Sequence, residues 1–138
     1  GFIHWGHDIS PEENQYQAGL KFAISYKKNV DFIGKEALMK IKDKELDKRL
    51  MMFTLKDSMP GEPLLLHDEP IYLDNKIIGQ TTSGNYSFCY EKNLSFGYVN
   101  SGNSIETLKD KNVFIEVEKK KYPVNILEKP LNNKNYKI

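Results

Sequence analysis

The residues with the most chemistry to offer stand at the start of the chain. His4, Trp5, Gly6, His7 and Asp8 place two imidazoles, a carboxylate and an indole within five positions. Imidazole and carboxylate are zinc ligands, but three of them leave a structural zinc one ligand short, and no Cys or further His lies near in sequence. Two other readings stay open. His7 or Asp8 can bond backbone groups in a turn. Alternatively, Phe2, Trp5 and His7 can form a polar-tipped aromatic group that stacks on a flat heterocycle while offering hydrogen bonds.

Other candidates are isolated. Arg49 is the only arginine among 20 basic residues, and its planar guanidinium can grip a carboxylate bidentately as Lys cannot. Its alternative role is a structural ion pair with Asp43, Glu45 or a carboxylate of another unit. Cys89, the single Cys, sits among aromatics in Tyr86-Ser87-Phe88-Cys89-Tyr90, where a small buried hydrophobe is the expected role. His67 falls in a Pro-flanked loop and is expected in solvent. Thr82-Ser83-Gly84-Asn85 is a small polar run that either joins two strands or cradles an anion. No Gly-rich phosphate loop leads into a helix, and no residues are assigned as catalytic or as metal ligands.

Composition limits the classes of function. The chain has 138 residues, 39% of them hydrophobic, enough for one domain with a real core or one domain plus a piece of another. Twenty basic and 19 acidic residues leave a net charge of +1, so no chain-wide field draws it to nucleic acid or anionic lipid. Lys119-Lys120-Lys121 is too short to track a phosphate backbone. No apolar run approaches the roughly 18–20 residues of a membrane span. One Cys excludes an internal disulfide framework and fits a reducing compartment. The expectation is a cytoplasmic protein without nucleic-acid or membrane partners. The start, Gly-Phe-Ile-His-Trp without an initiator Met, suggests a segment of a longer polypeptide.

The elements that would position these residues fall into two groups. Ser10-Pro11-Glu12-Glu13 has the capping-box arrangement, with a short helical turn expected to end near Gly19. Phe22, Ile24 and Tyr26 alternate with Ala23 and Ser25, which predicts a strand. Ala37, Leu38, Ile41 and Leu46 predict a helix over Gly34–Leu46 with one apolar stripe and a solvated Lys-rich face. From Arg49 onward the chain reads as short strands: Leu50–Leu55, then a hairpin of Pro70–Leu73 and Lys76–Gly79 about Asp74-Asn75. Leu94–Val99 follows, then a second hairpin of 113–117 and 122–126. Closely spaced strands with little helix between them predict an antiparallel barrel or sandwich. The expected boundary lies near Asp47, with 1–46 as the end of a preceding α/β unit and 47–138 as a β-barrel domain.

Several motifs then coincide in order and spacing. Asp31-Phe32-Ile33-Gly34-Lys35-Glu36-Ala37-Leu38, Lys48-Arg49-Leu50, Gly79-Gln80-Thr81-Thr82-Ser83-Gly84-Asn85-Tyr86-Ser87 and Leu94-Ser95-Phe96-Gly97-Tyr98-Val99 resemble the aminomethyltransferase (glycine cleavage T-protein) family. Trp5-Gly6-His7-Asp8, Gln17-Ala18-Gly19-Leu20, Tyr122-Pro123-Val124 and Glu128-Lys129-Pro130-Leu131 are most similar to its dimethylglycine and sarcosine dehydrogenase branch.

The resemblance implies the end of a second folate-binding lobe followed by a complete third lobe, a Greek-key barrel. It implies a parent enzyme that passes a one-carbon unit from an oxidised methylamine to tetrahydrofolate, with FAD in a further upstream domain if the parent is a dehydrogenase. A stand-alone aminomethyltransferase and a non-catalytic folate-binding module are the alternatives. By the same resemblance, Phe2 matches an aromatic lining the folate channel, with Trp5 and His7 as its neighbours, and Arg49 matches an arginine near the entrance to the barrel lobe. The catalytic groups would lie upstream, so the piece alone is expected to be inactive, with the missing lobes as its partners.

Overall fold

The nearly continuous apolar run after Arg49 becomes β1 (Lys48–Leu55), the strand around which the fold closes. The computed structural model describes residues 1–127 and Leu131, so Glu128-Lys129-Pro130 of the last motif lies outside the described residues. β1 is paired antiparallel on both sides, with β4 (Lys92–Asn100) and β6 (Lys120–Leu127). Met51, Phe53 and Leu55 enter the core, while the alternate residues Met52 and Thr54 are also buried. Burial on both faces explains why this strand reads as continuous hydrophobicity instead of alternation.

β2 (Pro70–Leu73) and β3 (Lys76–Ser87) form the expected hairpin, with Asp74 in the left-handed region at φ 54°. β3 returns into β4, and β5 (Val113–Val117) pairs with β2 and β6. The order β1-β4-β3-β2-β5-β6 closes into an antiparallel barrel. β2, β3 and β4 are successive neighbours, and the long 56–69 connection carries the chain from β1, which lies beside β4, to β2, which is the Greek-key arrangement. Phe53, Ile71, Val99 and Ile115 are fully buried inside. Gly79 has a specific reason to be glycine, since a Cβ there would lie 1.9 Å from the Tyr98 carbonyl oxygen across the β3–β4 pair.

The segment before the barrel has little regular structure: a 3-10 turn at Lys21–Ala23 and α1 (Lys35–Ile41). Glu13 does reach back to Ser10, accepting from its N–H at 2.8 Å and its Oγ at 2.6 Å, but no helix starts at Pro11. One turn follows, with Ala18 N–H donating to Asn14 O and Gly19 at φ 72°. Polar bonds tie this segment to the barrel. Leu50 N–H donates to Gln17 O at 2.8 Å, Ser101 N–H to Asp47 O at 2.6 Å, and Gln17 Nε2 to Asp47 Oδ1 at 2.6 Å.

Four expectations need correction. The alternation over residues 22–26 does not form a strand: no second strand supplies a ladder there, Phe22 is 86% exposed, and the Tyr26 hydroxyl instead bonds that of Tyr16. α1 stops at Ile41 because Lys42, Asp43, Lys44 and Glu45 have nothing to bury and packing, not propensity, sustains short helices. Thr82-Ser83-Gly84-Asn85 is no connection between strands but lies inside β3. Its Gly84 makes room for buried Leu65, whose Cβ would meet an added Cβ at 2.5 Å. Cys89 is exposed in the β3–β4 connection, where the flanking aromatics Phe88 and Tyr86 pack on each other and leave it outside. Among the described residues no helix is long and apolar enough to cross a membrane.

Candidate functional site

The loop carrying His4, Trp5 and His7 is closed on itself and fastened from beneath. The His4 carbonyl accepts from Asp8 N–H at 2.8 Å, Gly6 N–H donates to Ile9 O at 2.8 Å, and Gly6 sits at φ 90°, a conformation other residues resist. Asp8, 1% exposed, turns its carboxylate inward. Its Oδ2 accepts from His4 N–H at 2.8 Å, and its Oδ1 accepts from Thr82 Oγ1 at 2.5 Å and Ser83 Oγ at 2.7 Å. Consecutive strand residues normally face opposite ways. A register shift between Thr81 and Ser83 breaks that rule and lets both hydroxyls meet one oxygen. The small polar run of β3 therefore does cradle an anion, and the anion is the chain's own carboxylate.

Above Asp8 the three histidines converge. His4 and His7 stack with centroids 4.7 Å apart, His67 lies 6.3 Å from His7, and His67 Nδ1 is 2.7 Å from Asp68 Oδ2. Among the described residues no His, Cys, Asp and Glu group is arranged to hold a metal ion.

A polar cleft of about 690 Å³ opens beside them, lined by His7, Glu13, Lys48, His67, Gln80 and Tyr98 among others. Lys48 Nζ sits 2.5 Å from Glu13 Oε1 and 4.8 Å from the Tyr98 ring centroid. Burial works to raise the Glu13 pKa, but the bonds from Lys48 and Ser10 outweigh it and hold the carboxyl below its ordinary value. Burial, then the negative charge of Glu13 and Asp8, pushes the Tyr98 phenol up. The Tyr98 hydroxyl is buried without a hydrogen-bond partner among the described residues.

A second cleft, of about 610 Å³, is apolar: Phe2, Ile3, Leu20, Phe22, Met52 and Phe96 contribute to its walls, and among the described residues no charged side chain does. Phe2, 92% exposed, stands at its edge. Trp5, 65% exposed, lines neither cleft. Arg49 is exposed and borders a third, smaller cleft with Glu45 and Ser101. No carboxylate of the described residues reaches ion-pair distance of it, so the expected pair with Asp43 or Glu45 does not form. β1 begins two residues before the expected Leu50 and leaves Arg49 exposed. Its nearest electrostatic effect is on Glu106, whose carboxyl is lowered first by its own backbone N–H, then by Ser104, and only then by Arg49.

The structure thus brings His7 together with His4 and His67, but divides Phe2, His7 and Arg49 among three clefts. The reading that Asp8 bonds backbone in a turn holds, since it accepts from His4 N–H; Tyr98, Lys48 and the bonds of Asp8 to Thr82 and Ser83 were missed. Asp8 left one signal, a carboxylate beside Gly6, but its partners Thr82 and Ser83 lie 74 and 75 residues away.

With this geometry in place, the relatives can be set beside it. Residues 48–132 match the glycine cleavage T-protein C-terminal barrel domain. The chain is 36% identical over 136 residues to dimethylglycine dehydrogenase of Homo sapiens, covering 94% of this chain and 14% of that protein. It is 31% identical over 138 residues to an aminomethyltransferase of Alkaliphilus metalliredigens, covering 96% of this chain and 34% of the other. The crystal structure of glycine cleavage system aminomethyltransferase T from Bartonella henselae superposes with a TM-score of 0.76 at 20% identity, over 94% of this chain and 35% of that one, and so shares the fold. The chain therefore spans about a seventh to a third of these proteins. A closed six-stranded barrel with a family match running through every one of its strands means that this chain belongs to the glycine cleavage T-protein C-terminal barrel domain family.

Proposed function

We propose that this chain is the C-terminal, folate-facing portion of a dimethylglycine or sarcosine dehydrogenase-like enzyme, in which a one-carbon unit from an oxidised methylamine passes to tetrahydrofolate. The observation that carries this reading is the extent of the match to dimethylglycine dehydrogenase. It covers 94% of this chain and so extends well beyond the barrel. Tetrahydrofolate, when bound, supplies a pterin ring nitrogen and the neighbouring arylamine nitrogen that accept the one-carbon unit.

The residues present fit one part of that ligand. Phe2, Phe22 and Phe96 offer flat apolar faces in the 610 Å³ cleft, suited to an aryl ring or a pterin face. Among the described residues that lining has no carboxylate or amide side chain to match the polar edge of a pterin. In this reading the chain supplies a wall, with Phe2 against the ligand, Trp5 and His7 on the adjoining loop, and Arg49 toward the other lobes or the anionic folate tail. The groups that grip the pterin edge, move protons and hold any FAD then belong to upstream polypeptide, the chain's main partner. Enclosure by such walls keeps a reactive carbon from water and holds it near its acceptor, an advantage equivalent to an effective molarity of order 10⁵ M or more. A reducing, cytoplasmic compartment accords with one exposed thiol.

The match over 96% of this chain to an aminomethyltransferase supports a second reading, a stand-alone transferase of the same fold. The length of the complete polypeptide separates the two: a long chain with an N-terminal Gly-x-Gly-x-x-Gly motif is the dehydrogenase. Calorimetry tests the shared claim. The complete polypeptide should bind tetrahydrofolate, while residues 1–138 alone should bind weakly or not at all. Submicromolar binding by the 138-residue chain would overturn the division of labour.

A further inference from the structure

A buried carboxylate is a costly fastener, because leaving water penalises the charge unless hydrogen bonds replace the lost hydration. Asp8 is 1% exposed, and no Lys or Arg pairs with it among the described residues. Its compensation is three donors from two distant parts of the chain, His4 N–H on one side and the Thr82 and Ser83 hydroxyls on the other. The two hydroxyls reach it only because β3 is irregular between Thr81 and Ser83. Two local departures from the cheapest structure, a buried charge and a broken register, thus converge on one point. What lies over that point is exposed: Trp5 and the stacked His4–His7 pair. A loop with nothing to do at the surface needs no such anchor, whereas a surface meant to meet a flat ligand gains from being held before the ligand arrives.

We infer that Asp8 is a positioning residue. It acts through the His4–Ile9 loop, clamping it to Thr82 and Ser83 of β3 so that Trp5 and His7 are preset for the folate-bearing side of the enzyme. The inference rests on the proposed function for its ligand but not for its clamp.

The test uses the complete polypeptide, with tetrahydrofolate as the probe and hydrogen exchange read peptide by peptide. Asp8→Asn keeps the shape but turns an amide toward donors. It should speed exchange across residues 4–9 and weaken tetrahydrofolate binding about tenfold or more, as expected when hydrogen bonds to a buried charge are lost, with protection of β1 unchanged. Ser83→Ala removes one donor and should give a smaller loss of the same kind, and Ser83→Thr should restore it. A general destabilisation would lower protection in β1 as well. If Asp8→Asn does so, Ser83→Ala decides, and wild-type affinity in that variant with an intact barrel overturns the role. Asp8→Asn binding as tightly as wild type also overturns it. A wild-type polypeptide with no tetrahydrofolate affinity instead overturns the proposed function, and the positioning role with it, while faster exchange at residues 4–9 in Asp8→Asn would still report the clamp.

Discussion

The barrel and the segment before it hold themselves together by different means. From Lys48 onward every strand has two neighbours, and Phe53, Ile71, Val99 and Ile115 fill the interior without solvent contact. Residues 1–47 contain no strand of the sheet and leave Phe2, Trp5, Phe22, Val30, Ile33 and Met39 in solvent. What fixes them is a small set of polar attachments: Asp8 to Thr82 and Ser83, Glu13 to Lys48, and Gln17 to Leu50 N–H and Asp47. Buried apolar side chains are thus concentrated in the barrel, with Tyr16, Ala18 and Leu38 the ones buried in residues 1–47. Under the proposed function the exposed apolar residues are the surface that meets upstream polypeptide and ligand, and the polar attachments place it without consuming it.

The contrast breaks first at the core. Phe53→Ala should cost about 3–5 kcal/mol and shift the single denaturant transition of the barrel. A change confined to residues 1–47 would show that the barrel is not the stabilising unit. Lys48→Met removes the partner of Glu13 and should cost roughly 1 kcal/mol, since the pair is only partly buried. Its effect should be seen as faster exchange in residues 10–20 with the barrel midpoint nearly unmoved.

Acid should separate the two regions without mutation. The Glu13 and Asp47 carboxyls lie below their ordinary values of 4.5 and 3.8, Glu13 for the reasons above and Asp47 chiefly through the Gln17 hydrogen bond. A lowered native pKa contributes stability above the unfolded value and loses it as pH falls through the native one. Fluorescence of Trp5, the single Trp, should therefore change as pH drops below about 4.5 and onward through the lower native values. Far-UV circular dichroism of the barrel should persist there. Simultaneous loss of both signals would contradict the separation. The smallest expected effect is Phe22→Ser. Removing a side chain that is 86% exposed should move stability by no more than about 0.5 kcal/mol, measured by thermal unfolding.

The barrel was legible because its signals are local. Leu50–Leu55, the Asp74-Asn75 turn and the alternation of Val113, Ile115 and Val117 each announce an element within a few residues, and closure follows from pairing them. The same locality misled the reading of residues 22–26, where alternation exists but a partner strand does not. It also misled the reading of residues 82–85, where small residues mimic a turn but make space for Leu65 and donors for Asp8. The convergence of His4, His7 and His67, and the orphaned hydroxyl of Tyr98 beneath Lys48, depend on contacts across long sequence separations. No spacing rule carries that information. Side-chain type and resemblance single out Phe2, Trp5, His7 and Arg49, but only the fold shows that Phe2, His7 and Arg49 border three different clefts and that Trp5 borders none of them.

The claim that matters most is that the exposed aromatics of the first segment face a folate held by the complete enzyme. Tetrahydrofolate titration of the complete polypeptide, wild type against Trp5→Ala, tests it directly. Trp5→Ala should weaken affinity about tenfold or more, in the range of a lost aromatic contact at a binding surface, with an unchanged melting temperature. Equal affinity in the two proteins would contradict it.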